Sequence, residues 1–182
     1  GYPLFSKRLA THSSQPDNPK IQAMFAKAGL SHVLTSGIKL SDKCCELLKH
    51  GPSQAYATQR GFKVFFSGMM ADESRDRRRN WLSRGCYYPV VKGADRVWPL
   101  AFWVRQDVID YHKLAGLPRA ALYDKGFTRN GCRLCGFGCH LAKPNKFELL
   151  AEHYPKFWRE SMERFGLFEV CVKLGIRDGR SN

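Results

Sequence analysis

Apolar positions in the first third of this chain recur mainly with the period of an α-helix. Between residues 21 and 28 they lie three or four positions apart, so one face of a helix would be apolar. The segment follows Asn18, whose side chain can cap a helix, and Pro19, which suits a first helical position. We therefore predict a helix that begins after Asn18 and ends at Gly29.

The rest of the pattern predicts mostly helices. Helices are expected over 42–49, over a second short segment that ends at Arg60, over 72–82 and over 107–114. The segment 146–165 is expected to form one long helix or two helices broken at Pro155. Gly51 and Pro52 should end the helix over 42–49. The apolar run 62–66 predicts a buried strand. Only two or three strands are evident, which is few for a doubly wound α/β domain.

Length and composition fit a globular protein. The 182 residues are expected to form a single domain over 1–182, with 146–182 as a helical C-terminal extension. Hydrophobic residues make up 43% of the chain, which argues against disorder. No stretch approaches the roughly 18–20 apolar residues that cross a bilayer, and the first residues do not resemble a signal peptide. We expect a cytoplasmic location and no membrane partner.

The charge indicates an anionic partner. The formal net charge is +14, which favours a nucleotide phosphate, a sulfate ester or nucleic acid. Between Lys125 and Lys146 there are basic residues and no acidic ones, and the CxxC motif at Cys132 and Cys135 lies inside this stretch. Most such runs are solvated surfaces, but basic residues crowded around a cysteine pair weaken that interpretation.

Seven cysteines in a chain with no secretory signal point to metal ligands, catalytic thiols or core residues more than to disulfides. Alone, the motif Cys132-Arg133-Leu134-Cys135 fits a zinc site, an iron–sulfur site or a redox dithiol equally well. The adjacent pair Cys44-Cys45 favours a cluster. Neighbouring side chains diverge, so they rarely bind one zinc ion together, whereas a 4Fe–4S cluster offers separate iron corners.

The other cysteines allow one alternative. Cys139 could replace a member of the adjacent pair, giving a C-x₂-C-x₃-C arrangement. Cys86 and Cys171 have apolar neighbours in the sequence and are expected to be buried.

An arginine-rich helix is the second candidate site. Arg75, Arg78 and Arg79 fall on one helical face, and the helix follows a strand and Gly68, where α/β folds often bind phosphate. Guanidinium groups suit phosphate and sulfate oxygens. The alternative is a surface helix whose arginines pair with its own acidic residues.

Together these motifs resemble the PAPS/APS reductase (phosphoadenylyl/adenylyl sulfate reductase) family. The CC…CxxC spacing is similar to its cluster motif, and shorter matches follow the family order over roughly residues 1–140. These shorter matches are Gly1 to Lys7, Lys43 to Lys49, Gly68 with Glu73, Ser74, Arg75 and Arg78, Pro99 to Tyr111 with Trp103 and Asp107, and Tyr123 with Gly126.

The resemblance implies a fold, a cofactor and a substrate. The fold would be the C-terminal portion of a Rossmann-like adenine nucleotide alpha hydrolase (PP-loop) α/β domain, helix-rich with few strands. Cys44, Cys45, Cys132 and Cys135 would hold a 4Fe–4S cluster, with zinc as the alternative. The implied substrate-binding residues are Lys49, Glu73, Ser74, Arg75 and Arg78. The implied activity is reduction of an adenylylated sulfate to sulfite, or sulfur transfer, with a redox protein as electron donor.

The chain departs from the family pattern in three places. It has no Ser-Gly-Gly-x-Asp-Ser phosphate loop, so we expect an N-terminal half or a partner chain to supply that loop. It has no Glu-Cys-Gly-Leu-His tail, whose thiolate is the family's nucleophile, because no cysteine follows Cys171. Met69 and Met70 stand where arginine is common in the family.

Two other functions follow from these departures. The same scaffold could insert sulfur into tRNA or DNA, which the high positive charge favours. A non-catalytic, zinc-bound module that binds nucleic acid is the other alternative, and the adjacent cysteines argue against it.

Overall fold

The structure is a computed structural model and describes residues 1–90 and 93–180. Its chain forms two compact units. The first unit comprises Gly1–Cys45 and Ala120–Asn182, and the second comprises Glu46–Arg119. The predicted helix-rich α/β class with few strands is confirmed. The single domain expected over 1–182 stays a prediction, because two compact units can belong to one domain.

The first unit places short strands among helices. Its elements are β1 (Leu4–Phe5), α1 (Lys7–His12), α2 (Pro19–Lys27), α3 (Ser31–Thr35), α4 (Lys43–Cys45), a 3₁₀ turn (Ala121–Lys125), β5 (Gly136–Phe137), α8 (Lys146–His153), α9 (Pro155–Arg164) and α10 (Leu167–Leu174). Strands β1 and β5 pair in parallel, and Tyr2 forms an isolated parallel bridge with Leu40.

Helix α2 forms as its sequence predicts. The Asn18 side chain accepts a hydrogen bond from the Lys20 N–H, and Pro19 occupies the first turn, where its missing N–H costs nothing. Ile21 and Phe25 turn inward and are buried. The chain then leaves the helix through Gly29, whose φ of 68° suits glycine.

The C-terminal helices build most of the first unit's core. Asn145 caps α8: its Oδ1 accepts the N–H groups of Phe147 and Glu148, while the Glu148 carboxylate accepts the Asn145 N–H. Of the two alternatives predicted over 146–165, the structure shows two helices broken at Pro155, α8 and α9, and not one long helix. Apolar side chains of α8, α9 and α10 then pack together, with Phe147, Met162 and Cys171 fully buried.

The second unit is a small mixed sheet with helices. Its elements are a π-helical turn (Glu46–His50), α5 (Gly51–Gln59), β2 (Val64–Phe66), a 3₁₀ turn (Ala71–Glu73), α6 (Arg75–Arg84), β3 (Tyr87–Tyr88), β4 (Asp95–Val97) and α7 (Arg105–Leu114). The sheet order is β2-β4-β3, in which β2 is parallel and β3 antiparallel to β4.

Two predictions for the second unit are wrong. Gly51 and Pro52 begin α5 and do not end a helix, because proline is tolerated in a first helical turn. The strand predicted at 62–66 is present as β2, but it is not buried: Phe66 is 68% exposed. Within the described residues β2 pairs with β4 alone, so its other edge has no strand beside it.

None of the helices in the described part of the chain is long and apolar enough to cross a membrane.

Candidate cysteine site and arginine groove

The N-terminal segment is bonded to the backbone that leads into the first cysteine pair. The Tyr2 N–H donates to the Lys39 carbonyl over 2.8 Å, and the Ser41 N–H donates to the Tyr2 carbonyl over 2.9 Å. These are the bonds of the parallel bridge between Tyr2 and Leu40. Cys44 follows three residues after Ser41, so the position of the pair depends on this bridge.

The same segment is bonded to the backbone that follows the CxxC motif. The Gly136 N–H donates to the Pro3 carbonyl over 2.9 Å, and the Gly138 N–H donates to the Phe5 carbonyl over 2.8 Å. In this ladder Leu4 is opposite Gly136. One segment of backbone, residues 2–5, therefore bonds to both cysteine-bearing stretches of the first unit.

Each cysteine pair is presented by a tight turn. Ser41 Oγ accepts the Lys43 N–H over 3.1 Å, and the Cys45 N–H donates to the Asp42 carbonyl over 2.8 Å, so both cysteines stand at the start of a helix. In the other pair the Cys135 N–H donates to the Cys132 carbonyl over 3.0 Å. Cys132 is exposed and the other three are partly exposed, so all four thiols can be reached from solvent.

The electrostatics of Cys44 indicate that the four thiols are neighbours. Partial burial raises its pKa above the ordinary value. The adjacent Cys45, through its charge and a hydrogen bond, and then Cys135 and Cys132, through their charges, raise the pKa further. Deprotonating all four thiols without a cation is therefore unfavourable, and a bound metal centre would offset that repulsion.

The arrangement is not a ready-made site for one ion. Within residues 1–90 and 93–180, no three His, Cys, Asp or Glu side chains are placed to hold a single metal ion. A 4Fe–4S cluster takes each thiolate on a separate iron, and its ligands stand farther apart than those of one zinc ion.

The remaining cysteines differ in burial. Cys139 and Cys171 are 4% and 0% exposed, and burial raises their pKa values to about 11 and about 12. The predicted burial of Cys171 is confirmed, whereas Cys86 is partly exposed. All seven cysteines are free thiols, and each lies in the described part of the chain.

Two contributions to the cysteine site were not found from the sequence. The strand β1 is only two residues long, too short for its pattern to show. Lys146, at the start of α8, donates a hydrogen bond from its ammonium group to the Cys132 carbonyl. The absence of acidic residues around the CxxC motif was the one signal that pointed towards such a contact.

The arginine helix α6 begins at Ser74. Ser74 Oγ accepts the Arg77 N–H over 3.2 Å, and the Glu73 carboxylate accepts the Met70 N–H over 3.1 Å and also pairs with Arg77. Ser74 therefore divides the helix expected over 72–82 into a 3₁₀ turn and α6. Two predicted substrate residues, Glu73 and Ser74, are thus engaged in fixing the start of this helix.

Three arginines of α6 line an open groove. Its volume is about 470 Å³, and its walls are Arg75, Arg78, Arg79, Leu82 and Ser83. Arg79 lies 3.5 Å from Asp76, an exposed pair that contributes little. The groove is therefore lined mainly by arginine side chains. Lys49, the fifth predicted substrate residue, is exposed in the π-helical turn.

The family model for the phosphoadenosine phosphosulfate reductase domain matches residues 7–136, well over half of the chain. The chain belongs to this family. Both cysteine pairs and α6 lie inside the matched range, which ends at Gly136, so α8, α9 and α10 are outside it.

Curated relatives are similar over parts of the chain. An adenosine 5'-phosphosulfate reductase of Geobacillus thermodenitrificans is 32% identical over 95 residues, covering 52% of this chain and 38% of the relative. Adenosine 5'-phosphosulfate reductase 2 of Bacillus subtilis is 28% identical over 93 residues, or 50% and 37% of the two chains. The reductase of Halalkalibacterium halodurans is 27% identical over 125 residues, or 64% and 52%.

These matches span about four tenths to one half of the relatives' own lengths. No solved structure matches the chain significantly.

Proposed function

We propose that this chain is the cluster-carrying part of a sulfonucleotide reductase-like iron–sulfur enzyme of sulfur metabolism. The observation that carries the proposal is that residues 2–5 bond to both cysteine-bearing stretches of a chain that belongs to the reductase domain family. In this proposal the fold is the C-terminal portion of a PP-loop α/β domain, and an N-terminal half or a partner chain supplies the phosphate loop.

Cys44, Cys45, Cys132 and Cys135 are the proposed ligands of a 4Fe–4S cluster. The adjacent pair supports a cluster over a zinc site, because neighbouring side chains diverge, whereas four thiol donors suit either group. The effect of Cys45, Cys135 and Cys132 on the Cys44 pKa supports the proposal that the four thiols act together. The rival ligand Cys139 is nearly fully buried, whereas the four proposed ligands are open to solvent. When bound, the cluster would contribute a compact, redox-active group with its own electrostatic field.

The arginine groove is the proposed site for the anionic end of an adenine sulfonucleotide. Arg75 and Arg78 are exposed on α6 and line the same groove, as guanidinium groups that bind sulfate or phosphate oxygens should. Glu73 and Ser74 fix the helix start, and Lys49 adds a further positive charge near the beginning of the second unit.

Reduction of the sulfonucleotide to sulfite and an adenosine nucleotide consumes an electron pair. A thiolate attacks the sulfur and forms an S–S bond while the bond from sulfur to the nucleotide's phosphate oxygen breaks and releases the adenosine nucleotide. A dithiol donor then reduces the S–S bond and releases sulfite. Cys139 and Cys171 are too buried to serve as that nucleophile. Cys86, the remaining cysteine outside the proposed ligand set, is partly exposed. We therefore assign the nucleophilic thiol either to Cys86 or to another segment or chain, and the electron pair to a redox protein donor.

The first test is the metal content of anaerobically purified protein. We expect brown protein with about four irons and four sulfides per chain. Cys45→Ser and Cys132→Ser should each lose the cluster, whereas the control Cys86→Ser should retain it, because Cys86 is not one of the proposed ligands. A colourless protein with one zinc would overturn the proposal and support the zinc-bound module.

The five arginines of α6 favour a second candidate function, sulfur insertion into tRNA or DNA. A phosphate backbone bound by several arginines gives an affinity that falls steeply with salt. Tight binding of a tRNA with a steep salt dependence, and weak binding of adenosine 5'-phosphosulfate, would favour that function over the reductase.

A further inference from the structure

We propose that Gly136 is a positioning residue for the cysteine site: its lack of a side chain lets β5 lie against β1, and β1 then sets the spacing of the two cysteine pairs. The inference rests on the proposed function, because it concerns the geometry in which the four thiols meet one cluster. It adds to that function a requirement at a residue that is not itself a ligand.

Gly136 lies where no side chain fits. A Cβ atom added there would stand 2.3 Å from Leu4 Cδ2, 3.1 Å from Phe147 Cζ and 3.3 Å from the Pro3 carbonyl oxygen. Leu4 and Phe147 are both 0% exposed, so neither can swing out into solvent. Gly136 does not have the positive φ that favours glycine elsewhere in this chain. A side chain at this position is therefore excluded by steric overlap with its neighbours, and not by the backbone conformation.

The other flank of the same motif provides the contrast. Gly131 precedes Cys132 as Gly136 follows Cys135, and it too does not have a positive φ. A Cβ at Gly131 would meet nothing within 4 Å, and the residue is exposed. The two glycines that enclose the CxxC motif thus differ in burial and in their contacts: Gly136 is buried against β1 and Phe147, whereas Gly131 is exposed.

A displacement at Gly136 would reach both cysteine pairs through backbone hydrogen bonds. If β5 moves away from β1, Cys135 moves with it, because Cys135 directly precedes Gly136, the first residue of β5. If β1 moves instead, Tyr2 moves with respect to Lys39 and Ser41, which lead into Cys44. Either response changes the distance between the pairs. A turn that carries only two thiolates has little affinity for a cluster that needs four ligands.

Phe5 gives independent support for a constrained β1. It is the one non-glycine residue with positive φ, 63°, among the described residues, and it is 1% exposed. Such a conformation persists only where the surroundings determine it, and it is frequent at functional sites. The Phe5 carbonyl accepts the Gly138 N–H, while Ser6 caps α1 immediately after it. The C-terminal end of β1, at Phe5, is thus fixed by its bond to Gly138 and by the start of α1.

The test compares Gly136→Ala with the matched control Gly131→Ala in the chain reconstituted with iron and sulfide without oxygen. The measurements are iron and sulfide per folded chain, the visible spectrum, and the rate of iron release to a chelator. We expect iron retention to be about 10- to 100-fold weaker in Gly136→Ala, the usual effect of disturbing the residues that orient metal ligands. Gly131→Ala should match the unsubstituted chain.

A second variant shows that the effect acts through the contact with β1. Leu4→Val removes the Cδ2 atom that the new Cβ would meet, so Leu4→Val/Gly136→Ala should regain most of the lost retention. Far-UV circular dichroism and the thermal midpoint report folding separately. If Gly136→Ala alone does not fold, the double variant decides: retention in a folded double variant supports the proposal, and loss overturns it.

The outcomes separate this inference from the function on which it rests. If the unsubstituted chain takes up no cluster, the proposed function falls, and this inference falls with it. If the unsubstituted chain and Gly136→Ala release iron at the same rate, the proposed function stands and the positioning role of Gly136 is wrong. Equal losses in Gly131→Ala and Gly136→Ala would also contradict it.

Discussion

The side-chain ammonium of Lys146 donates a hydrogen bond to the backbone carbonyl of Cys132. Lys146 is the first residue of α8, which Asn145 caps with its buried side chain. The contact brings a positive charge to the CxxC turn from a helix beyond the matched range of the family model. It therefore gives the C-terminal helices a direct part in the proposed cluster site.

Replacing Lys146 with methionine should make the cluster harder to reduce. A positive charge nearby favours the more negative, reduced state, so its removal lowers the reduction potential by a few tens of millivolts, on the order of 1 kcal/mol. Lys146→Arg keeps the charge and is the control. Redox titration followed by the visible spectrum measures the shift. An unchanged reduction potential in Lys146→Met would show that the contact holds the turn without an electrostatic effect on the cluster.

Cys139→Ala should leave the cluster in place. Cys139 is nearly fully buried, and burial raises its pKa to about 11, so the neutral thiol is strongly favoured. Iron and sulfide per folded chain should match those of the unsubstituted protein, while Cys132→Ala loses both. Iron lost in both Cys139→Ala and Cys132→Ala, but retained in Cys44→Ala or in Cys45→Ala, would replace our ligand set by the C-x₂-C-x₃-C alternative.

Stability should fall at alkaline pH because of the buried thiols. In the folded chain burial raises the Cys139 pKa to about 11 from an ordinary 9.0, and that of Cys171 to about 12. Above pH 9 the unfolded chain loses these protons and the folded chain keeps them, so unfolding becomes progressively easier. The contribution of Cys139 to the free energy of unfolding is fully present below pH 9 and is lost as pH rises through about 11. Its size is on the order of 2–3 kcal/mol.

Urea denaturation at several pH values between 8 and 11 measures this effect. Cys139→Ala removes one of the two titrating groups and should flatten the decline. A slope that is identical with and without Cys139 would assign the loss of stability to other groups.

How much the sequence could predict depended on whether the signal was local. Helix α2 was predictable because Asn18, Pro19 and Gly29 each act on the neighbouring backbone. The apolar run at 62–66 specified a strand, but its burial depends on pairing with distant residues, and Phe66 proved exposed. Local signals thus fixed the type of element more reliably than its environment.

In the candidate site, too, local features were predictable from the sequence and long-range contacts were not. The spacing of the cysteines indicated which four thiols could act together. It could not indicate what brings them together, because β1 consists of two residues defined by partners at positions 136 and 137. Likewise the arginine spacing predicted one face of a helix, whereas the break at Ser74 arises from a side-chain cap.

Arg75→Ala and Arg78→Ala should weaken the binding of a sulfonucleotide to the arginine groove. Both guanidinium groups line the groove, and a hydrogen bond to a charged group contributes about 1.5–3 kcal/mol, so each variant should lose roughly tenfold or more in affinity. Arg84→Ala is the matched control: it ends the same helix, but its guanidinium lies 4.7 Å from the Tyr88 ring centre and lines no part of the groove. Calorimetry with adenosine 5'-phosphosulfate provides the measurement.

The same variants distinguish a small anion from a nucleic acid. If the groove holds one sulfonucleotide, Arg75→Ala weakens its binding while Arg84→Ala does not, and salt has a modest effect. If α6 instead follows a phosphate backbone, tRNA binding weakens similarly in all three variants and each variant lowers the salt slope by about one. The second pattern would move the substrate from a sulfonucleotide to RNA and would leave the proposed cysteine ligands as they are, because the metal content of the cysteine variants tests those separately.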